Sequence, residues 1–114
     1  MAKKLIKTRL KNSEETINLQ VNAIINDNKI LYKDKDVTNT VIIDDNSVDI
    51  IRKNDEYQLS MKFSKNSSQC TYKLLKLDRI LNMDIETINL DIKDNYLFIK
   101  YKLNDEIFEY EIKY

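Results

Sequence analysis

The chain has 114 residues with 19 basic and 19 acidic side chains, so its formal net charge is zero. This balance argues against non-specific duplex binding, because proteins of that class concentrate positive charge on one face. The absence of histidine removes the usual zinc ligand and every Ser-His or Cys-His nucleophile pair, and the single cysteine, Cys70, excludes an intrachain disulfide.

Glycine and proline are both absent, and asparagine and aspartate stand where turns are predicted. Their short side chains bond to the local backbone and tolerate the left-handed region. Clusters of these residues at 26–28, 44–46, 54–55, 94–95 and 104–105 separate runs in which apolar and polar residues alternate. This arrangement predicts an all-β chain whose short strands are joined by tight hairpins.

Strands are predicted from alternation of apolar and polar residues, which is typical of a strand with one buried face. The clearest segment is 17–25, where Ile17, Leu19, Val21 and Ala23 alternate with polar residues. In chain order the predicted strands cover residues 5–10, 17–25, 29–33, 40–43, 48–52, 57–63, 70–75, 83–92, 96–103 and 108–114.

Two segments depart from simple alternation. Within 83–92 the apolar phase is interrupted after Ile85 and resumes at Ile88, so a one-residue bulge is predicted near Thr87. Within 74–81 the leucines and Ile80 recur at helical spacing, but the segment is short and lacks a cap. At most one helical turn is therefore predicted there.

These strands predict one domain over residues 1–114. Its expected architecture is all-β, a closed or nearly closed antiparallel up-and-down barrel of about 8–10 strands, because closure protects strand edges and short hairpins favour a meander. The basic start of the chain is followed by no apolar segment of membrane-spanning length. Together with the lone cysteine, this predicts a cytoplasmic protein with no membrane contact. The excess of lysine over arginine is typical of an AT-rich genome.

Three segments carry a family resemblance. They are SVDIIRKN at 47–54, MDIET at 83–87 and DNYLFIKYKL at 94–103, and their order and spacing resemble those of the YwiB-like family. This resemblance implies a bacterial calycin-like, or lipocalin-like, β-barrel without an assigned activity. Asn54 and Asn95 stand where the family carries glycine, and asparagine is well able to replace glycine in a left-handed turn.

Arg52 is the leading candidate for a functional residue, because it is in phase with Val48 and Ile50 and a regular strand would carry it inward. An inward guanidinium needs carbonyl or carboxylate partners, so it either closes one end of the barrel or anchors an anionic ligand. Tyr72 and Tyr101 are candidates for the same interior, although filling of the core explains them equally well.

The first functional hypothesis is a non-enzymatic barrel that binds a small, partly apolar or anionic ligand inside, with no cofactor and no metal. The second is a protein-interaction module that uses an outer face around Tyr96 and Phe98. The third is single-stranded RNA binding through these rings and the neighbouring Lys100 and Lys102, which the zero net charge and missing RNA-recognition motif disfavour.

Overall fold

The computed structural model describes residues 2–114, which form eleven antiparallel strands and no helix. Each strand begins or ends close to an Asn, Asp or Ser cluster, as the turn chemistry requires. The strands are β1 (Ala2–Lys11), β2 (Thr16–Asn26), β3 (Lys29–Asp34), β4 (Val37–Ile43), β5 (Ser47–Lys53), β6 (Tyr57–Ser64), β7 (Ser68–Leu74), β8 (Arg79–Met83), β9 (Ile85–Lys93), β10 (Tyr96–Leu103) and β11 (Glu106–Lys113).

The strands form a sheet with the spatial order β8-β7-β6-β5-β4-β3-β2-β1-β11-β10-β9. Almost every strand lies beside its neighbour in the chain, and the pairing of β1 with β11 joins the two ends of the sequence. The predicted up-and-down barrel is confirmed, with eleven strands in place of the expected 8–10.

The barrel is nearly closed at a seam between β7 and β9. Only Asp84 separates β8 from β9, and its carbonyl accepts a hydrogen bond of 2.8 Å from the backbone N–H of Asn104. The chain therefore changes partner at Asp84, from β7 before it to β10 after it. The hydroxyl groups of Ser68 and Thr87 bond to each other across the seam.

The core lies inside the barrel and follows from the alternation. Ile6, Val41, Phe63, Leu97 and Ile112 are fully buried and come from five different strands. Burying a side chain of this size contributes about 1.5–3 kcal/mol to folding. Because the period of a strand is two, each strand sends one set of side chains into this core and the other set outward.

Asparagine and aspartate make most of the tight turns, as predicted. Asp27, Asp78, Asn95 and Asn104 all adopt positive φ values between 49° and 60°. Asn54 acts differently, because its side-chain oxygen accepts the backbone N–H groups of Glu56 and Tyr57 at 2.8 and 3.0 Å. Of the two asparagines at family glycine positions, only Asn95 therefore occupies the left-handed region.

The predicted bulge is confirmed at Ile88. Lys100 pairs with Asn89 and Tyr101 pairs with Thr87, so Ile88 has no partner on β10. Its side chain is 47% exposed. The extra residue allows Thr87 and the apolar residues that follow the bulge to share the inner face of the barrel.

The segment 74–81 contains a turn and the start of a strand, although its apolar residues recur at helical spacing. Residues 75–78 form a hairpin turn, and Arg79 begins β8, a strand that the alternation did not predict. Leu77, Ile80 and Leu81 are 50% to 66% exposed. Since β8 lies at the edge of the sheet and only Met83 at its end packs against the core, no burial pattern marks it in the sequence.

Candidate ligand site at one end of the barrel

One end of the barrel carries the hairpin turns that follow β1, β3, β5, β7 and β10, and we call it the Arg52 end. Near this end a row of inner-face residues crosses six neighbouring strands as successive cross-strand partners. The row consists of Tyr32, Asn39, Arg52, Leu59, Tyr72 and Leu81. Its two ends differ in exposure: Tyr32 and Asn39 are 6% and 2% exposed, whereas Leu81 is 50% exposed. The row therefore leads from the core to the rim of the barrel.

Arg52 lies on the inner face, as its phase with Val48 and Ile50 predicts. Its Nε atom is buried and has no hydrogen-bond partner. The ion pairs formed among residues 2–114 do not include Arg52. A polar atom that stays unpaired in the interior costs about 1–3 kcal/mol, so a partner for this Nε atom would stabilise the fold.

The cavity beside Arg52 has a volume of about 10 Å³. This is about the space that one water molecule needs. Its lining residues are Leu10, Asn39, Ile50, Arg52, Met61, Tyr101 and Tyr110. Side chains thus fill this part of the barrel, and the space beside Arg52 does not hold a molecule the size of a lipocalin ligand.

Three buried tyrosines lie near the Arg52 end, and their hydroxyl groups are protonated. The hydroxyl groups of Tyr32 and Tyr110 bond to each other across the interior at 2.5 Å. Burial raises the pKa of both phenols, and it raises the pKa of Tyr101 to about 12. The nearby Arg52 charge lowers these pKa values only in part. The hydroxyls therefore remain available as hydrogen-bond donors near neutral pH.

The structure brings two of the three candidate residues together. Arg52 and Tyr101 line the same small cavity, and Tyr101 stacks on Phe108 at 5.4 Å between ring centroids. Tyr72 lies two strands from Arg52 in the inner-face row, outside that cavity lining. It is half-buried at the rim and stacks on Tyr57 at 5.6 Å.

Asn39, Tyr32 and Tyr110 belong to the same cluster and were not among the candidates. Asn39 is 2% exposed, and its side-chain nitrogen reaches the Val37 carbonyl only at 3.4 Å. It was missed because the predicted strand began at residue 40, although Asn39 is in phase with Val41. The two tyrosines occupy apolar positions of predicted strands, and only the tertiary fold shows that their hydroxyl groups meet.

A sequence-family model described as a domain of unknown function, DUF1934, matches residues 4–111. The chain belongs to this family. The crystal structure of the ywiB protein from Bacillus subtilis is similar to this DUF1934 chain, with a TM-score of 0.66 and 14% sequence identity. The match covers 95% of this chain and 85% of that one. It confirms the predicted resemblance to YwiB at the level of the fold. No match was found among curated proteins.

The Cys70 thiol and the acidic side chains are the other reactive or metal-binding groups of this DUF1934 chain. Cys70 is buried, and burial raises the pKa of its thiol, which disfavours the nucleophilic thiolate. Within residues 2–114, no three Asp, Glu or Cys side chains cluster as metal ligands. The same part of the chain has no helix with the length and hydrophobicity needed to cross a membrane.

The outer face around Tyr96 and Phe98 is flanked by carboxylates. Phe98 pairs with Asp91 on one side and with Glu111 on the other, and the Tyr96 hydroxyl donates to Glu111 at 2.9 Å. Both carboxylates are in ion pairs, Asp91 with Lys93 at 3.3 Å and Glu111 with Arg9 at 3.5 Å. Single-stranded RNA binding at this face stays a prediction.

Proposed function

We propose that this protein binds a small anionic molecule with a partly apolar body at the Arg52 end of the barrel. The observation that carries the proposal is the buried Nε atom of Arg52, which has no partner within the protein. Guanidinium groups form their strongest hydrogen bonds with carboxylate and phosphate oxygens. An acidic group of a ligand would supply the acceptor that Arg52 lacks.

The neighbouring polar groups support an anionic ligand. Asn39 and Tyr101 line the same cavity, and the side chains of both carry hydrogen-bond donors at neutral pH. No carboxylate side chain is among the residues that line it. A guanidinium and further donors without a neighbouring carboxylate favour a group that carries negative charge and several oxygen atoms.

The size and polarity of the rim support a ligand that is only partly enclosed. The cavity beside Arg52 is too small for more than the acidic group, and that group enters only if the Arg52 side chain shifts. Leu59, Tyr72 and Phe108 are half-buried near this end and offer apolar surface to the remainder of the ligand. The proposal is therefore a site at the mouth of the barrel.

Binding is a better proposal than catalysis for this site. Its tyrosines keep their protons near neutral pH because burial raises their pKa values, so none of them serves as a general base there. We further propose that binding takes place in the cytoplasm, in line with the single free cysteine.

The test is a titration of the protein with octanoate and benzoate, each matched by its neutral amide. The acids are expected to raise the melting temperature and to shift the NMR signal of the Arg52 Nε–H group, while the amides do neither. Loss of one charge-assisted hydrogen bond costs about 1.5–3 kcal/mol, so Arg52→Met should weaken binding roughly 10-fold to 100-fold.

Arg9→Met provides the matched control, because the Nε atom of Arg9 is also buried without a partner, but Arg9 lies on the outer face and its Nη2 atom pairs with Glu111 at 3.5 Å. This variant should bind the acids as the parent protein does. Equal binding of acids and amides, or unchanged binding by Arg52→Met, would overturn the proposal.

A further inference from the structure

Strand β2 separates from β3 over most of its length. β2 pairs with β1 from Thr16 to Ile25, whereas it pairs with β3 only through residues 24–26 against 29–31. Residues 16–22 consequently have one strand edge without a neighbour in the sheet. An edge of this length presents a row of free backbone N–H and C=O groups.

The hairpin geometry identifies the free groups. The turn at Asp27 and Asn28 makes Asn26 and Lys29 the closing hydrogen-bonded pair, and alternate residues then face the same side. The backbone groups of Asn18, Gln20 and Asn22 therefore point toward the gap. Those of Leu19 and Val21 point toward β1.

The free edge lacks the usual protection against pairing. Natural edge strands are commonly shielded by charged side chains, proline or bulges. Residues 16–22 read TINLQVN and include no charge and no proline. The register of β1 with β2 is continuous along them, so there is no bulge against β1.

A cleft of about 350 Å³ lies where the two strands diverge. Ile24 and Leu31 give it an apolar wall, and Lys3 and Lys33 stand at its edge with exposed side chains. An extended peptide that enters this cleft would find backbone partners on β2 and apolar contacts on both sides. This is the arrangement used in β-strand addition.

The outer face of β1, β2 and β3 is basic, although the whole chain is neutral. Within residues 2–34, Asp34 is the carboxylate on these three strands, and its phase with Tyr32 places it on the inner side. The basic residues of the outer face are Lys3, Lys7, Arg9, Lys11, Lys29 and Lys33. Of these, Arg9 forms an ion pair, with Glu111 on β11. Complementary charge on a partner favours both encounter and register.

We propose that an extended acidic segment of a partner protein adds as a strand to the free edge of β2, in the cleft between β2 and β3. Single-stranded nucleic acid fits less well, because the outer face of these strands carries no aromatic ring on which a base could stack. A second copy of this chain also fits less well, because it would bring two basic faces together.

The test uses a fluorescent peptide of alternating valine and glutamate, matched by one of alternating valine and lysine. At low salt the acidic peptide should bind and the basic one should not, and binding should weaken as salt increases. Hydrogen exchange at the amides of Asn18, Gln20 and Asn22 should slow on binding. The amides of Leu19 and Val21, already paired with β1, should change little.

Two variants, each with a matched control, test the backbone hydrogen bonds and the charge separately. Gln20→Pro removes an N–H group that faces the gap, which an edge strand tolerates, and it should weaken binding at least roughly 10-fold. Gln20→Thr changes the same side chain, keeps the N–H group and should bind like the parent. The reversal Lys3→Glu/Lys33→Glu should abolish binding, whereas Lys65→Glu/Lys76→Glu, which reverses two exposed lysines elsewhere, should not.

Circular dichroism establishes that each variant is folded. Undiminished binding of the acidic peptide by folded Gln20→Pro would overturn the proposal. So would preferential binding of a polyuridine strand at the same edge, or a dimer of the parent protein that Gln20→Pro abolishes. Arg52→Met should leave peptide binding unchanged, which separates this site from the one at the Arg52 end.

Discussion

At the residue scale, the alternation of a strand predicts which face a side chain lies on, but not the groups that the side chain contacts. The phase of Arg52 with Val48 and Ile50 correctly placed it on the inner face, because a regular strand alternates its side chains strictly. The same phase could not show whether the guanidinium group has a hydrogen-bond partner inside the barrel. The structure answers that question, since the Nε atom of Arg52 is buried without one. Partners come from other strands, and local sequence carries no record of them.

The hydroxyl pair formed by Tyr32 and Tyr110 is a residue-scale feature whose contribution can be measured. Either single change to phenylalanine leaves a buried hydroxyl without its partner and should cost about 1–2 kcal/mol. The double variant should cost less than the sum, with a coupling of about 1 kcal/mol. Urea unfolding of the four proteins in the cycle measures this, and strictly additive losses would contradict a direct bond.

At the scale of elements, turns were the most predictable feature. Asparagine and aspartate hold left-handed positions in four turns, because their side chains tolerate that region better than most others. Lys35 also adopts a φ of 56° and carries no such signal. Here the pairing of β3 with β4 imposes the turn conformation, and the pattern of the flanking strands predicts it better than the turn residue does.

The bulge at Ile88 provides a prediction about an element. Deletion of Ile88 restores simple alternation, because Thr87 and Leu90 then remain on the inner face without an extra residue between them. The variant should fold with a loss of at most about 1 kcal/mol, measured by urea unfolding. Deletion of Lys100 from the partner strand is the control. This deletion turns the side chains of Tyr101 and Leu103 outward, or else turns outward the inner-face residues that precede them on β10. It should therefore prevent folding.

Strand β8 shows where element prediction fails. Alternation marks a strand only when one face is buried, and the apolar side chains of β8 are largely exposed. Its identity as a strand depends on backbone pairing with β7 from Leu74 to Cys70. Local unfolding of β8 should cost less free energy than local unfolding of a central strand, because fewer buried contacts hold β8 in place.

At the scale of the whole molecule, closure redistributes the charge. The basic and acidic residues balance along the chain, yet the outer face of β1 to β3 collects lysines, whereas lysines and carboxylates are mixed on the outer face of β9 to β11. Interspersion in sequence therefore does not imply interspersion on the surface. The pairing of β1 with β11, two strands from opposite ends of the chain, sets the boundary between the two regions.

Alkaline pH should destabilise the whole barrel through its buried tyrosines. Their pKa values are higher in the folded state than the value of about 10 of an exposed phenol, so the neutral form is favoured by folding. The stabilisation that these neutral, buried phenols provide is fully present below about pH 10. For Tyr101 it is lost as the pH rises to about 12, at about 1.4 kcal/mol per pH unit.

The measurement is the free energy of unfolding in urea at increasing pH, followed together with tyrosinate absorbance. Tyr101→Phe should show a shallower decline, because one titrating group is removed. Ionisation of all seven tyrosines near their ordinary pKa in a protein that stays folded would contradict this account.

The sequence by itself determined the fold class, most strand positions, the turn chemistry and the inward phase of Arg52. These depend on the period of a strand and on backbone preferences, which act over a few residues. Only the tertiary structure decided the buried, unpartnered Nε atom of Arg52, the contact between Tyr32 and Tyr110, the free edge of β2 and the basic outer face. Those depend on which strands become neighbours, and in a closed barrel the neighbours include residues from both ends of the chain.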